Sequence, residues 1–385
     1  MYHQQYQIPF NKPFLTGKET DYIREAVASG KISGDGLFTA RCQAFFEARY
    51  GFSKTLLTTS CTDALEMCAL LLNIKSGDEV IMPSFTFVSA ANAFLLRGAR
   101  LVFADSSPQH PNIDETQLES LITPRTRAIV LVHYGGMACN MNAIQQIAHR
   151  HGLTIIEDAA HATDARYCPP NETPQYLGGI GSLATFSFHE TKNVMAGEGG
   201  LLVINDSALR SRAEIIREKG TNRAAFFRNE VAKYQWVDIG SSFLPSELIA
   251  AFLYAQLEQI SVIQQKRIAI WQHYHQYLQQ LPRYGVALPQ MPSYAECNGH
   301  LYYIVCRSAT ERDQLIAYLK THSIYTAFHY QSLHQSPFFQ PLHDGRPLPY
   351  ADLYSDRLLR LPLYYELELN SVEKICALME QFYAS

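Results

Sequence analysis

Thr154-Ile155-Ile156-Glu157-Asp158-Ala159-Ala160-His161 is the stretch on which the fold turns. A β-branched, apolar run of this kind, not alternating with polar residues, is the pattern of a strand covered on both faces by crossover helices. Neighbouring side chains of a strand point to opposite faces, so Glu157 and Asp158 cannot share a proton as a pair. Asp158 would stand at the carboxyl edge of a parallel sheet, where such sheets bind their ligands; an ordinary loop-capping aspartate has the same appearance in the sequence.

Working outward, similar runs occur at 54–58, 79–83, 101–104, 128–133, 183–188 and 200–204, separated by helical stretches and by turn signals such as Ser76-Gly77-Asp78 and His151-Gly152. They predict an α/β domain with a mostly parallel central sheet. Past Gly240 the pattern changes. Ser246 is placed to cap one long bridging helix, whose apolar positions run from Leu253 through Ile260, Ile270 and Tyr274 to Leu281. A smaller C-terminal α+β unit should follow, with a strand at 301–306, a helix at 310–321, an extended run at 324–330 and a closing helix at 370–383. The expected division is 1–245 for the large domain with its N-terminal arm and 246–385 for the bridging helix and small domain. Four prolines in 335–350 mark a surface or active-site loop.

With 385 residues, 47% of them hydrophobic and 18% charged, the chain can bury a large core, which excludes a mini-protein and global disorder. Thirty-two basic against thirty-six acidic residues, without a long run of one sign, argue against a nucleic-acid partner. The start, Met1 to Ile8, lacks the basic and apolar regions of a signal peptide, and no stretch has the roughly twenty apolar residues that span a bilayer. The expectation is a cytoplasmic protein with no membrane partner, its eight cysteines reduced and without metal-site spacing.

Two further segments carry chemistry. Ser60-Cys61-Thr62-Asp63 precedes a run of good helix formers, so its free N–H groups and hydroxyls suit a phosphate; an ordinary capping box of Ser60 with Asp63 reads the same way. Ser187-Phe188-His189-Glu190-Thr191-Lys192-Asn193 leads into Gly197-Glu198-Gly199-Gly200. A lysine just past a buried strand, beside a glycine-rich segment, is a candidate Schiff-base residue. Anion cradle, strand-end aspartate and lysine, in that order, are the three groups that pyridoxal 5'-phosphate requires.

These stretches, with Gly77-Asp78-Glu79-Val80-Ile81 and Pro83-Ser84-Phe85-Thr86-Phe87-Val88, resemble the DegT/DnrJ/EryC1/StrS family of sugar aminotransferases, from about Ile8 to Tyr383. The resemblance implies a fold type I enzyme dependent on pyridoxal 5'-phosphate and acting as a homodimer. It implies that Lys192 holds the cofactor covalently and acts as the catalytic base, that Asp158 pairs with the ring nitrogen, and that Phe87 stacks on the ring. Cys61, Thr62 and Ser187 would hold the phosphate. His161 stands where the family more often has glutamine near the phenolic oxygen, and Ser242 where it often has a partner-subunit asparagine. Lys219, Arg223, His329 and Tyr330 are implied at the nucleotide-sugar end. Arg217-Glu218-Lys219-Gly220-Thr221-Asn222-Arg223, Asp238-Ile239-Gly240-Ser241-Ser242 and Phe328-His329-Tyr330 are similar to the branch that transfers the amino group of L-glutamate to C4 of a dTDP-4-keto-6-deoxyhexose for surface polysaccharide. Amination at C3 is the nearer alternative and a PLP-binding regulator without turnover the distant one.

Overall fold

The computed structural model describes residues 6–384; of the N-terminal stretch read above for a signal peptide, residues 1–5 lie outside the described part. Thr154–Asp158 is the middle strand of a seven-stranded sheet. In spatial order the sheet runs Thr55–Thr58, Gly200–Ile204, Leu183–Ser187, Thr154–Asp158, Thr126–Val132, Glu79–Pro83 and Arg100–Ala104. Six strands are parallel, and Gly200–Ile204 alone runs against its two neighbours.

The unalternating apolar runs have the predicted cause. Ile155 belongs to the core on one face of the sheet with Ile81, Ile129, Leu131 and helix residues Phe46 and Ala250. Ile156 belongs to the core on the other face with Val80, Met82, Val130 and helix residues Leu65 and Phe94. Each such side chain, fully buried, contributes roughly 1.5–3 kcal/mol, so both faces hold the strand in one register.

A second, antiparallel sheet has Leu358–Leu361 between Tyr302–Val305 and Ala327–Phe328. It shares a third core with helices Ala309–Thr321 and Leu369–Ala384 and the far half of helix Ile260–Tyr277.

Two expectations need correction. The bridging helix is two helices, Glu247–Leu257 and Ile260–Tyr277, broken at Gln259, where φ is −106° and ψ is 6°. The first packs its Ala250, Ala251 and Leu253 on the large sheet's core, while the second must pass from that core at Ile263 to the small one at Ile270, and the break re-aims it. Nor does the Ser246 side chain cap the first helix. The neighbouring Glu247 carboxylate accepts instead from the N–H groups of Gly36, Phe38 and Thr39, tying this helix to the start of helix Leu37–Tyr50. The extended run at 324–330 shortens to Ala327–Phe328, because His329 and Tyr330 turn into a cavity wall. No residue of the proline-rich 335–350 loop lines that cavity. Among the described residues no helix is long and apolar enough to cross a membrane, and no cluster of His, Cys, Asp and Glu could hold a metal. All eight cysteines are free.

Candidate active site

A cavity of about 740 Å³ opens at the carboxyl edge of the central sheet, between the two sheets and beneath Phe10 and Asn11. The Asn11 amide donates to the Glu190 carbonyl at 3.2 Å, laying the N-terminal segment over the turn that carries Lys192.

One end of the cavity is built for an anion. Helix Cys61–Leu71 starts there, with the Ser60 hydroxyl accepting from the Asp63 N–H at 3.1 Å. The capping reading of Ser60 therefore holds, and it leaves the first helical N–H groups, those of Cys61 and Thr62, for a ligand. Thr62 and Ser187 add hydroxyls to the same wall, and the Thr62 hydroxyl is held by Ser89 at 2.8 Å. Gly200 backs this turn so closely that a Cβ would fall inside the contact shells of the Ser60 carbonyl and the Cys61 nitrogen. Gly200→Ala is therefore expected to push the turn out of place, costing about 1–3 kcal/mol in stability by overpacking and lowering cofactor affinity, as a titration of the protein with pyridoxal phosphate would show.

At the other end Asp158 and Lys192 face the cavity. Burial raises the Asp158 carboxyl above its ordinary value, although the Ala160 N–H and the Lys192 charge oppose this. A cation opposite it, such as a protonated ring nitrogen, would keep it ionised. Desolvation pulls the Lys192 amine down to about 8, against the favourable charges of Cys61 and Asp158. A lysine so placed is partly neutral at physiological pH and able to act as nucleophile and base.

The lysine turn is braced by its next residue. The Asn193 amide donates to Gln264 at 2.8 Å and to the Asn298 carbonyl at 3.0 Å, and its oxygen accepts from His300 Nδ1 at 2.7 Å. The Asn298 amide in turn donates to the carbonyls of His161 and Thr163. A buried amide network thus links the Lys192 turn to the strand end that bears Asp158 and His161.

His161 Nδ1 accepts from the Gly135 N–H at 3.2 Å, which leaves the ring proton on Nε2, aimed at the Tyr330 hydroxyl 3.4 Å away. Desolvation, then the charges of Lys192 and Arg360, keep the imidazole neutral. His329 bonds the Tyr134 hydroxyl through Nδ1 at 2.9 Å, its ring centroid 3.6 Å from that of Tyr330. Phe87 sits exposed on the rim, where an inserted planar ring could lie against it.

Of the residues singled out in the sequence, Cys61, Thr62, Phe87 and Asp158 come together here, as do His161, Ser187, Lys192, His329 and Tyr330. Lys219, Arg223 and Ser242 do not line this cavity. Lys219 and Arg223 pair with the buried Glu218 at 3.5 and 3.3 Å, and Ser242 bridges the Glu218 backbone. The sequence reading missed Arg360, His300 and Asn193. A single arginine in the apolar run Leu358-Leu359-Arg360-Leu361 was the signal for the first.

Phosphate cradle, buried aspartate and desolvated lysine at the edge of a mostly parallel sheet define a pyridoxal-phosphate-dependent aminotransferase of fold type I. The chain belongs to the DegT/DnrJ/EryC1/StrS aminotransferase family, whose model matches residues 13–380. It is 33% identical over 377 residues to the spore coat polysaccharide biosynthesis protein SpsC of Bacillus subtilis, covering 96% of this chain and 95% of the relative. It superposes on Helicobacter pylori PseC, an aminotransferase of pseudoaminic acid biosynthesis, with a TM-score of 0.88 and 27% identity over 98% of this chain and 99% of PseC. The PLP form of Spr1654 from Streptococcus pneumoniae, at 23% identity, matches in fold with a TM-score of 0.89, covering 98% of this chain and 99% of that one.

Proposed function

We propose that the protein transfers the amino group of L-glutamate to C4 of dTDP-4-dehydro-6-deoxy-D-glucose, giving dTDP-4-amino-4,6-dideoxy-D-galactose for a bacterial surface polysaccharide. The observation that carries the transaminase part is the Lys192 amine, desolvated to a pKa of about 8 and facing Asp158. The 217–242 motifs and the His329-Tyr330 pair support the sugar part, together with the sugar aminotransferases to which the chain is similar.

The residues present fit the cofactor: N–H groups and hydroxyls for a phosphate, a carboxylate for a ring nitrogen, an amine for an aldehyde. Pyridoxal phosphate, when bound, supplies the electron sink that makes a substrate C–H acidic and carries the nitrogen between the two substrates. Asp158 holds a proton at the ring nitrogen by staying ionised beside it. Lys192 gives up its bond to the incoming amine, and its freed Nζ then takes the proton from the donor's carbon and returns it across the site. His161 offers its Nε2 proton to an oxygen beside it. Phe10, Tyr325 and Leu363 close the cavity on the side of the small sheet and limit water there.

We place the large domain at 1–245 and the small one at 246–385, and we propose a cytoplasmic homodimer. The 218–242 segment carries Lys219, Arg223 and Ser242 next to exposed Phe227 and Trp236, 69% and 81% accessible, and so offers them to a second copy. The test is spectral and chemical. L-Glutamate should bleach the visible band of the purified holoenzyme and dTDP-4-keto-6-deoxyglucose should restore it, with NMR placing the new amine at C4. A band unmoved by glutamate rejects transamination; an amine at C3 rejects the assigned regiochemistry.

A further inference from the structure

Building on the transaminase reading above, we infer that Arg360 is the carboxylate clamp for the amino donor, gripping the α-carboxylate of the incoming amino acid beside Lys192. Arg360 lies on Leu358–Leu361, the middle strand of the small sheet. Leu359 and Leu361 face the small core, so the period of two turns Arg360 to the other face, where it joins the cavity wall. One guanidinium nitrogen, Nη2, donates to the Phe328 carbonyl at 3.1 Å, and the group lies 4.6 Å from the centre of the Phe10 ring. Its Nε is buried with no hydrogen-bond partner. Among the described residues no carboxylate pairs with it.

The groups facing Arg360 are neutral or positive. Tyr134, Tyr325 and Tyr330 surround it as phenols, His161 and His329 are held neutral by burial, and Lys192 feels its charge. Asp158 is the buried carboxylate of the cavity, and it is committed to the cofactor ring. Once Lys192 is bonded, Arg360 is the uncompensated cation on the wall, a costly state that an anionic part of a ligand would relieve. Its planar fork of donors matches a carboxylate in bidentate fashion.

The ligand chemistry narrows further. The α-carboxylate of an amino acid is two bonds from the nitrogen that displaces Lys192, so its clamp must stand near the lysine amine, as Arg360 does. The diphosphate of a nucleotide sugar is separated from a reacting C4 by the sugar ring and belongs farther out.

The test uses Arg360→Gln and Arg360→Lys holoenzymes against wild type. Calorimetric titration with maleate, a dicarboxylate with no amine to react, should show affinity lowered about 30-fold in Arg360→Gln and less in Arg360→Lys. The L-glutamate concentration that half-saturates single-turnover bleaching should rise in parallel, while that for the keto-sugar in the second half-reaction moves less than about threefold. Weakened dTDP binding with maleate and glutamate unaffected would assign the guanidinium to the diphosphate and overturn the inference. So would unchanged binding of all three, or a wild type that does not bind maleate. A wild type that glutamate does not bleach defeats the transaminase reading instead, and the maleate titration still judges Arg360.

Discussion

Alanine at position 192 should leave a folded chain that transfers amino groups at least about a thousandfold more slowly than wild type. Removing a positioned general base alone costs about 10²–10⁴-fold, and here the same nitrogen is also the nucleophile that carries the cofactor. Borohydride reduction and peptide mapping of the wild type should put the label on Lys192, with none in the variant. Full turnover in Lys192→Ala, or a label on another residue, would reject the whole catalytic scheme. The same side chain leaves a mark on the stability of the cofactor-free protein. The folded amine sits near 8 and the ordinary value is 10.5, so between these pH values the unfolded chain binds more protons and stability rises with pH. Lys192→Met should therefore stabilise the apoprotein at pH 7 by up to about 3 kcal/mol, and the gain should fade by pH 10.5, as denaturant unfolding at the two pH values would measure.

The part of this site that could be read in the sequence is the part that local rules determine. Ile155 and Ile156 announced a strand buried on both faces, and the period of two then sent Glu157 and Asp158 to different jobs before any coordinates were known. Lys192 was found because it follows a strand and precedes glycines. Arg360 and His300 escaped because nothing near them in the chain speaks of ligands; they reach the cavity through the docking of the small sheet against the large one, a long-range event. Asn193 escaped for a related reason, since its partners Gln264, Asn298 and His300 lie 71 to 107 residues away. The broken bridging helix shows the same limit from another side. Apolar residues recur through Glu258 and Gln259 with nearly unbroken helical spacing, and only the existence of two cores, one at each end, demands a change of direction.

Glu157, the carboxylate sent to the other face, carries the largest stability effect we expect. It is fully buried, and its oxygens accept from His133 Nε2 at 3.0 Å and from the N–H groups of Gly178, Ile180 and Gly181. His133 Nδ1 accepts from the Cys139 N–H, so the ring proton is on Nε2 and the imidazole is fixed as a donor. Burial alone would raise the Glu157 carboxyl, but His133 and the glycine N–H groups outweigh it and hold the carboxyl below its ordinary value of 4.5. Glu157→Ala strands one histidine and three backbone donors in the interior, which should cost about 3–5 kcal/mol. Glutamine is no remedy, because its amide turns two donors toward a nest of donors. The sign of the pH dependence follows from the depressed carboxyl: its contribution is complete above 4.5 and is lost as the pH falls through the folded value, so wild type and Glu157→Ala should converge in acid. Because Asp158 is the next residue on the strand, a loosened Gly178–Gly181 turn should also weaken cofactor retention in the variant. Urea unfolding at pH 7 and pH 4 measures the first effect and dialysis of the holoenzyme the second. A loss under about 1 kcal/mol at pH 7 would mean that the buried carboxylate is not what pins this turn to the central strand.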